Sequence, residues 1–226
     1  MIRTAMILAA GRGERMRPLT DHLPKPLLEV NHKPLIVWHI ERLARLGIEI
    51  IVINHAYLGS KIVEALGDGS QYGVSIHYSA ETEGALETAG GIVKALPLLG
   101  DEPFLLVNGD VWSDFDFGAL QSLELSTLAK LVMIPNPEHN PNGDFVVHNG
   151  VLSHKIDGQI SFTYSGIGLY SPKLFAQLSV ERAPLAPLLY RAMEQQLISA
   201  EIYHGQWCDV GTPERLQQLN EQLGAS

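Results

Sequence analysis

Six apolar residues, Ala5 to Ala10, run straight into Gly11-Arg12-Gly13. A short apolar run without charges is how a strand buried on both faces reads, and such strands belong to parallel sheets with helices packed on each side. The glycines then stand at the carboxyl end of a strand, where open α/β sheets bind their ligands. Gly11 and Gly13 are expected to take positive φ, which lets consecutive backbone N–H groups converge on one anion. Arg12, Arg15, Arg17 and Lys25 place four cations around that turn. The chain as a whole is acidic, with 16 Lys and Arg against 25 Asp and Glu and a net charge of −9 over 226 residues. That balance opposes general attraction to nucleic acid or to an anionic membrane, so the cluster predicts a discrete anion site suited to a polyphosphate.

Two familiar phosphate loops fail the comparison. No Gly-Lys-Ser/Thr closes the turn as a Walker A loop requires. Met16 stands where a dinucleotide fingerprint needs its third glycine, and Pro18 interrupts the helix that would follow. Downstream, a helix over Pro34 to Leu46, opened by Pro34 and closed by Gly47, precedes strands at Glu49 to Asn54, Val74 to Ser79 and Phe104 to Asn108. Helical patterns at Tyr57 to Leu66 and Glu87 to Leu96 separate them, and this alternation predicts a doubly wound α/β sheet. Asp116 to Leu123 reads as helix, then Ala129 to Ile134, Asp144 to His148 and Ile160 to Tyr170 read as strands between proline-rich turns. Leu185 to Gln196 and Glu214 to Leu223 read as helices, the last with Thr212 at the N-cap and Pro213 at its first position.

Other chemistries are set aside on spacing. Nine histidines form no zinc-binding array. Ser165-Gly166-Ile167-Gly168 lacks the flanking glycines of a nucleophile elbow. Cys208 is the one cysteine, so it has no internal disulfide partner; it reads as a packed thiol and agrees with a reducing compartment. No signal peptide is visible and no apolar run approaches the roughly 20 residues of a membrane span. The expectation is a soluble cytoplasmic chain without a membrane or nucleic-acid partner.

The string Leu8-x-Ala10-Gly11-x-Gly13-x-Arg15-x-x-Pro18-x-Thr20, continued by Pro24-Lys25-Pro26, resembles the signature of the sugar-1-phosphate nucleotidyltransferases. The resemblance implies a Rossmann-like, doubly wound mixed sheet of the GT-A-like nucleotide-diphospho-sugar transferase type. It implies one domain over 1–226, with a nucleotide half over about 1–125 and a sugar half over about 126–226. In that family the glycine loop, here Ala10, Gly11, Arg12, Gly13 and Glu14, wraps the triphosphate. Arg15 would face the leaving pyrophosphate and Lys25 would reach the α-phosphate and the sugar phosphate. Asp110 ends the apolar strand Phe104-Leu-Leu-Val-Asn-Gly-Asp110, and Trp207-Cys-Asp-Val-Gly-Thr-Pro213 supplies the matching Asp209. The resemblance makes these the Mg²⁺ ligands, which suits a hard cation that takes one or two carboxylates and completes its shell with phosphate oxygens and water. Arg15, Lys25 and Asp110 are thus the expected catalytic residues, whereas Asp68, in Gly67-Asp-Gly-Ser, reads as a surface turn.

Ser79 to Ile92 is similar to the family's base-contacting segment. Gly90 and its small neighbours would admit a flat base, and Glu83 or a backbone carbonyl would accept the uracil N3–H. Asn108 would touch both nucleotide and sugar, with Asp144, Thr163 and Ser165 on the sugar side. The segments 53–59, 86–92, 105–112 and Gly143-Asp-Phe145 resemble the short family members that uridylylate N-acetylmuramate 1-phosphate in bacterial cell-wall recycling. That implies UTP as donor, UDP-N-acetylmuramic acid as product and a monomeric enzyme. The Glu-Lys-Pro triplet of many hexose-1-phosphate relatives is missing, which favours an unusual acceptor. Uridylyl, thymidylyl or guanylyl transfer to a glucose- or mannose-type 1-phosphate, and an inactive nucleotide-sugar-binding homologue, are the competing readings.

Overall fold

The computed structural model describes residues 2–82, 84–120, 122–123, 127–155 and 157–224. β1 (Thr4–Leu8) runs into the glycine turn, and a ribbon of β2 (Glu29–Val30) and β3 (Lys33–Pro34) leads to α1 (Leu35–Leu46). β4 (Ile50–His55), α2 (Gly59–Leu66), β5 (Ser75–Ala80), α3 (Glu87–Leu99) and β6 (Phe104–Asn108) follow. These four long strands lie in the order β5-β4-β1-β6, all parallel. Neighbouring residues of β1 feed opposite cores: Ala5 and Ile7 pack with Ile36, Ile40 and Ile62 of α1 and α2, while Met6 packs with Ile92 and Ala95 of α3. This two-sided burial is what the uncharged sequence of β1 permits, because successive side chains of a strand point to opposite faces. The chain leaves β1 toward β4 on one side and returns through α3 to β6 on the other, so the topological switch point lies between β1 and β6.

The remaining strands make the sheet mixed. They are β7 (Val111–Ser113), β8 (Ala129–Ile134), β9 (Phe145–His148), β10 (Val151–Ser153) and β11 (Ser161–Tyr170), then, after α4 (Ala186–Glu194), β12 (Ile198–Ile202) and β13 (Trp207–Asp209). β11 pairs antiparallel with β6 and carries the sheet on through β8, β12, β10 and β9, to nine strands among the described residues. Phe104, Tyr170 and Phe175, with ring centroids 6.0–6.4 Å apart, anchor this junction. Each such buried aromatic contributes on the order of 2–3 kcal/mol by area alone. β7 and β13 form a separate antiparallel ribbon, and α5 (Pro213–Gly224) packs beside it over Met16, Leu35, Trp112, Val210 and Leu219. Thr212 Oγ1 accepts the Arg215 N–H at 3.4 Å, the expected N-cap of α5.

Two helical expectations are corrected. The pattern at Tyr57 to Leu66 becomes helix only at Gly59, because Leu58 sits at φ 53 in the left-handed region. A Cβ on Gly59 would stand 1.9 Å from His55 Nδ1, so glycine lets the chain turn tightly over β4. Within Asp116 to Leu123, the described residues form one 3-10 turn, Phe117–Leu120. Asp116 Oδ1 accepts the Gly118 N–H at 2.9 Å, a local side-chain bond that competes with helix propagation.

Candidate active site

A cavity of about 230 Å³ opens beyond the carboxyl ends of β1 and β6, lined by Ala10, Gly11, Lys25, Asn54, Glu81 and Asp110 among others. Only one of the two loop glycines takes the expected conformation. Gly13 has φ 68, whereas Gly11 has ordinary backbone and nothing within 4 Å of where a Cβ would stand. Gly13 turns the chain, and Gly11 leaves room for a ligand. The turn is pinned from below: Thr20 Oγ1 donates to the Gly13 carbonyl at 2.8 Å, and the Met16 N–H reaches the same oxygen at 3.0 Å. The N–H groups of Gly11, Arg12 and Gly13 carry no hydrogen bond among the described residues, which leaves three main-chain donors for an anion. Arg12 stacks over the Tyr57 ring at 3.9 Å and pairs with Glu14 at 3.3 Å; Arg15 is exposed and outside the cavity lining.

Lys25 is the buried cation of the site, 7% exposed, and Nζ donates to Asp110 Oδ2 at 2.7 Å. An ammonium out of water is costly without a partner, and the Asp110 carboxylate, 40% exposed, supplies one at the cavity wall. Asp209 is brought beside the Asp110 main chain by the β7–β13 ribbon, outside the lining of the cavity. Val111 pairs with Asp209, and the Val210 N–H donates to the Asp110 carbonyl at 2.9 Å. Asp209 Oδ2 accepts from Arg215 at 3.1 Å and lies 3.5 Å from His139 Nε2. Burial holds His139 below the usual imidazole range, and Arg215 acts in the same direction. The Oδ1 atoms of Asp110 and Asp209 take no hydrogen bond or ion pair among the described residues, and no cluster of three metal-ligating side chains occurs there. Two carboxylates with one free oxygen each, beside a phosphate-sized cavity, fit a Mg²⁺ ion that fills its shell with substrate oxygens and water. Under the loop, His39 Nε2 bonds to the Val111 carbonyl at 2.6 Å, and burial lowers its pKa to about 4. Cys208 is pushed up to about 11 by burial and then by Asp209, so its thiol stays protonated.

Sequence reading passed over a buried relay at the other wall. Asn54 Oδ1 accepts the Ala9 N–H at 2.9 Å and Asn54 Nδ2 donates to Glu81 Oε1 at 2.7 Å; Glu81 Oε2 accepts the Leu86 N–H at 2.7 Å. Glu81, 4% exposed, thus ties β1, β4 and the start of α3 together while lining the cavity. Its signal in the sequence is a carboxylate directly after the strand Ser75–Ala80; Glu83, the expected base contact, lies outside the described residues. Gly90 does not line either cavity: a Cβ there would stand 2.1 Å from the Glu181 carbonyl oxygen, so Gly90 serves backbone packing.

A second cavity, about 860 Å³, adjoins the first and shares Glu87, Thr88 and Asn108 with it. Its lining includes Asp144, Lys155, Tyr164, Leu185, Leu189 and Tyr190, the last stacked on His154 at 4.9 Å. Asp144 accepts from Asn140 Nδ2 at 3.0 Å and from the Tyr164 N–H at 2.8 Å. Thr163 and Ser165 are buried within the sheet and outside the lining. Thr163 Oγ1 donates to Asn136 Oδ1 at 3.0 Å, and Ser165 Oγ accepts the Ile167 N–H at 3.2 Å. Tyr164, between them, faces the cavity, as strand alternation requires.

Open main-chain donors, a buried lysine and the Asp110 carboxylate at the switch point form, in an α/β protein, a site suited to a phosphate-bearing ligand beside a second, roomier pocket. Residues 4–226 match the nucleotidyl transferase family, and the chain belongs to it. It is 52% identical over 98% of both chains to the N-acetylmuramate alpha-1-phosphate uridylyltransferase of Neisseria meningitidis. It is 32% identical to the mannose-1-phosphate guanyltransferase of Yarrowia lipolytica over 92% of its own length, but spans 60% of that protein. The solved structure of HddC from Yersinia pseudotuberculosis superimposes with a TM-score of 0.81 at 20% identity, covering 98% of this chain and all of the other, which confirms the mixed α/β fold.

Proposed function

We propose that the chain transfers the uridylyl group of UTP to N-acetylmuramate 1-phosphate, giving UDP-N-acetylmuramate and pyrophosphate. The observation that carries this reading is the end-to-end likeness, at 52% identity, to a relative of matching length bearing that activity in its name. The geometry supports it. One phosphate oxygen of the acceptor attacks the α-phosphorus of UTP, the bond to the bridging oxygen breaks, and pyrophosphate leaves with that electron pair. The nucleophile is already anionic, so the protein's task is to hold two polyanions in line and neutralise their repulsion. The free N–H groups of Gly11 to Gly13 receive the triphosphate, and Arg15 meets the leaving pyrophosphate. Lys25 exchanges part of its bond to Asp110 for the phosphate oxygens of donor and acceptor. Asp110 and Asp209 are the residues that would hold Mg²⁺, which when bound would supply Lewis-acid charge neutralisation. Asn108, shared by both cavities, stands where nucleotide and sugar meet. Glu81 is the carboxylate placed to accept the base N3–H, since a carboxylate has lone pairs beyond the two that Asn54 and Leu86 use. The enzyme acts in the cytoplasm as a monomer.

Pyrophosphate release with Mg²⁺ and UTP, comparing N-acetylmuramate, N-acetylglucosamine, glucose and mannose 1-phosphates, tests the assignment. Preference for the muramate ester is expected. Preference for another acceptor, or for GTP with mannose 1-phosphate, replaces the substrates and leaves the transfer, while silence with every pair overturns the enzymatic reading.

A further inference from the structure

Lys155 is the cation of the second cavity that has no carboxylate within ion-pair distance among the described residues. Arg182 outside it pairs with Glu87 at 2.8 Å, and His154 on its wall stacks on Tyr190 and lies 3.9 Å from Glu194. Lys155 Nζ instead donates to two neutral oxygens, the carbonyls of Asn142 and Gly143, at 3.2 Å each. An ammonium has three N–H donors, so one remains, and the full positive charge is uncompensated. In a protein with a net charge of −9, that is an unusual thing to leave on a cavity wall.

The carbonyls that hold it are themselves fixed. Ser161 Oγ donates to the Asn142 carbonyl at 2.8 Å, Asn136 Nδ2 donates to the Pro141 carbonyl at 3.3 Å, and the Gly143 N–H reaches Asn140 at 3.1 Å. Gly143, at φ 57, lies so close to Asn136 that a Cβ would stand 2.4 Å from its Oδ1. The ammonium is therefore presented by a braced loop, and little ordering remains to be done when a ligand arrives. The same cavity is also lined by the aliphatic side chains of Leu185, Ala186 and Leu189. A fixed cation sharing a cavity with aliphatic side chains suits a short acid with a hydrocarbon face.

We propose that Lys155 binds the carboxylate of the acceptor's lactyl ether, and so selects an acidic sugar 1-phosphate over its neutral counterpart. This rests on the acceptor proposed above. Asp144, with both oxygens already accepting from Asn140 and Tyr164, serves the ring hydroxyls and leaves the acid to Lys155. The lactyl methyl lies against Leu185 and Leu189.

The test uses kcat/KM for UTP-dependent pyrophosphate release with three acceptors: N-acetylmuramate 1-phosphate, its lactyl methyl ester, and N-acetylglucosamine 1-phosphate, which lacks the ether. In Lys155→Met the ratio for the muramate over the glucosamine ester is expected to fall about tenfold, the low end for a charge-assisted bond because the ammonium is solvent-accessible. Methyl esterification is expected to cost wild type the same factor and Lys155→Met no more than a fraction of it, as a coupled pair requires. Lys155→Arg is expected to keep most of the ratio. Equal losses on both sugars, or an unchanged ratio, overturn the inference while leaving the acceptor assignment intact. A wild-type enzyme indifferent to the lactyl ether overturns both.

Discussion

The cavity beyond β1 and β6 is walled by main chain and by side chains that still have bonds to give, whereas the second, larger cavity is backed by side chains largely occupied with one another. At the first, Gly11 to Gly13 offer free N–H groups, and Asp110 and Asp209 each keep an uncommitted oxygen. At the second, Asn136, Asn140, Asp144 and Thr163 satisfy each other behind Tyr164. Parallel strands end together at one edge and deliver loops there; antiparallel strands present whole faces, and half their residues turn inward. Chemistry gathers at the parallel edge and shape at the antiparallel face.

The largest break should come from Lys25→Ala. Its loss is expected to lower turnover on the order of 10²-fold or more, with the circular dichroism spectrum unchanged; a rate within threefold of wild type would remove Lys25 from the reaction. The buried titratable groups of the two halves should then separate acid from alkaline stability. His39, held neutral to about pH 4 on the nucleotide side, lets the unfolded state bind the extra proton between pH 6.5 and 4. Stability is therefore full above pH 6.5 and falls through that window, by at most about 3 kcal/mol. Tyr164 and Tyr170, raised by burial within β11, are neutral in the fold, so the stability they carry is full below pH 10 and is lost as the pH rises beyond it. Urea unfolding of His39→Gln should lose the acid slope and keep the alkaline one, and Tyr164→Phe should weaken the alkaline slope. Identical slopes in all three proteins would reject the division.

Smaller effects probe the seam and the sugar side. Gly90→Ala must move the Glu181 main chain and is expected to remove roughly 1–3 kcal/mol in thermal unfolding, with UTP binding little changed. A selective rise in the KM for UTP would instead return Gly90 to the base site. Thr163→Val breaks bonds to Asn136 and Asn140 and should cost about 1 kcal/mol of stability while the acceptor KM stays within twofold. A tenfold rise in that KM would mean the hydroxyl faces the sugar.

The same division explains what could be read from the chain alone. β6 occupies Phe104–Asn108 as expected, since a strand buried on both faces carries its pattern in consecutive residues. β8 likewise matches at Ala129–Ile134. Lys25 and Asp110 were legible because the motif lies on loops at one sheet edge. Thr163 and Ser165 were harder, because a strand with both faces covered gives no alternation to tell cavity from core, and Tyr164 took the cavity-facing position. β2, β3, β7, β10, β12 and β13 went unassigned; β7 and β13 are three residues each and find their partner across the chain, a pairing that leaves no local trace. Glu81 hid because its partners, Asn54 and Leu86, are 27 and five residues away.

The β7–β13 ribbon also sets an order of events. A ribosome delivers Asp110 and the glycine turn long before Asp209, which arrives on one of the last strands and is held by Arg215 of the helix after it. A nascent chain can wrap the parallel sheet and assemble its phosphate cradle while the second carboxylate is still inside the exit tunnel. On the mechanism proposed above, the reaction therefore waits for a three-residue strand to close.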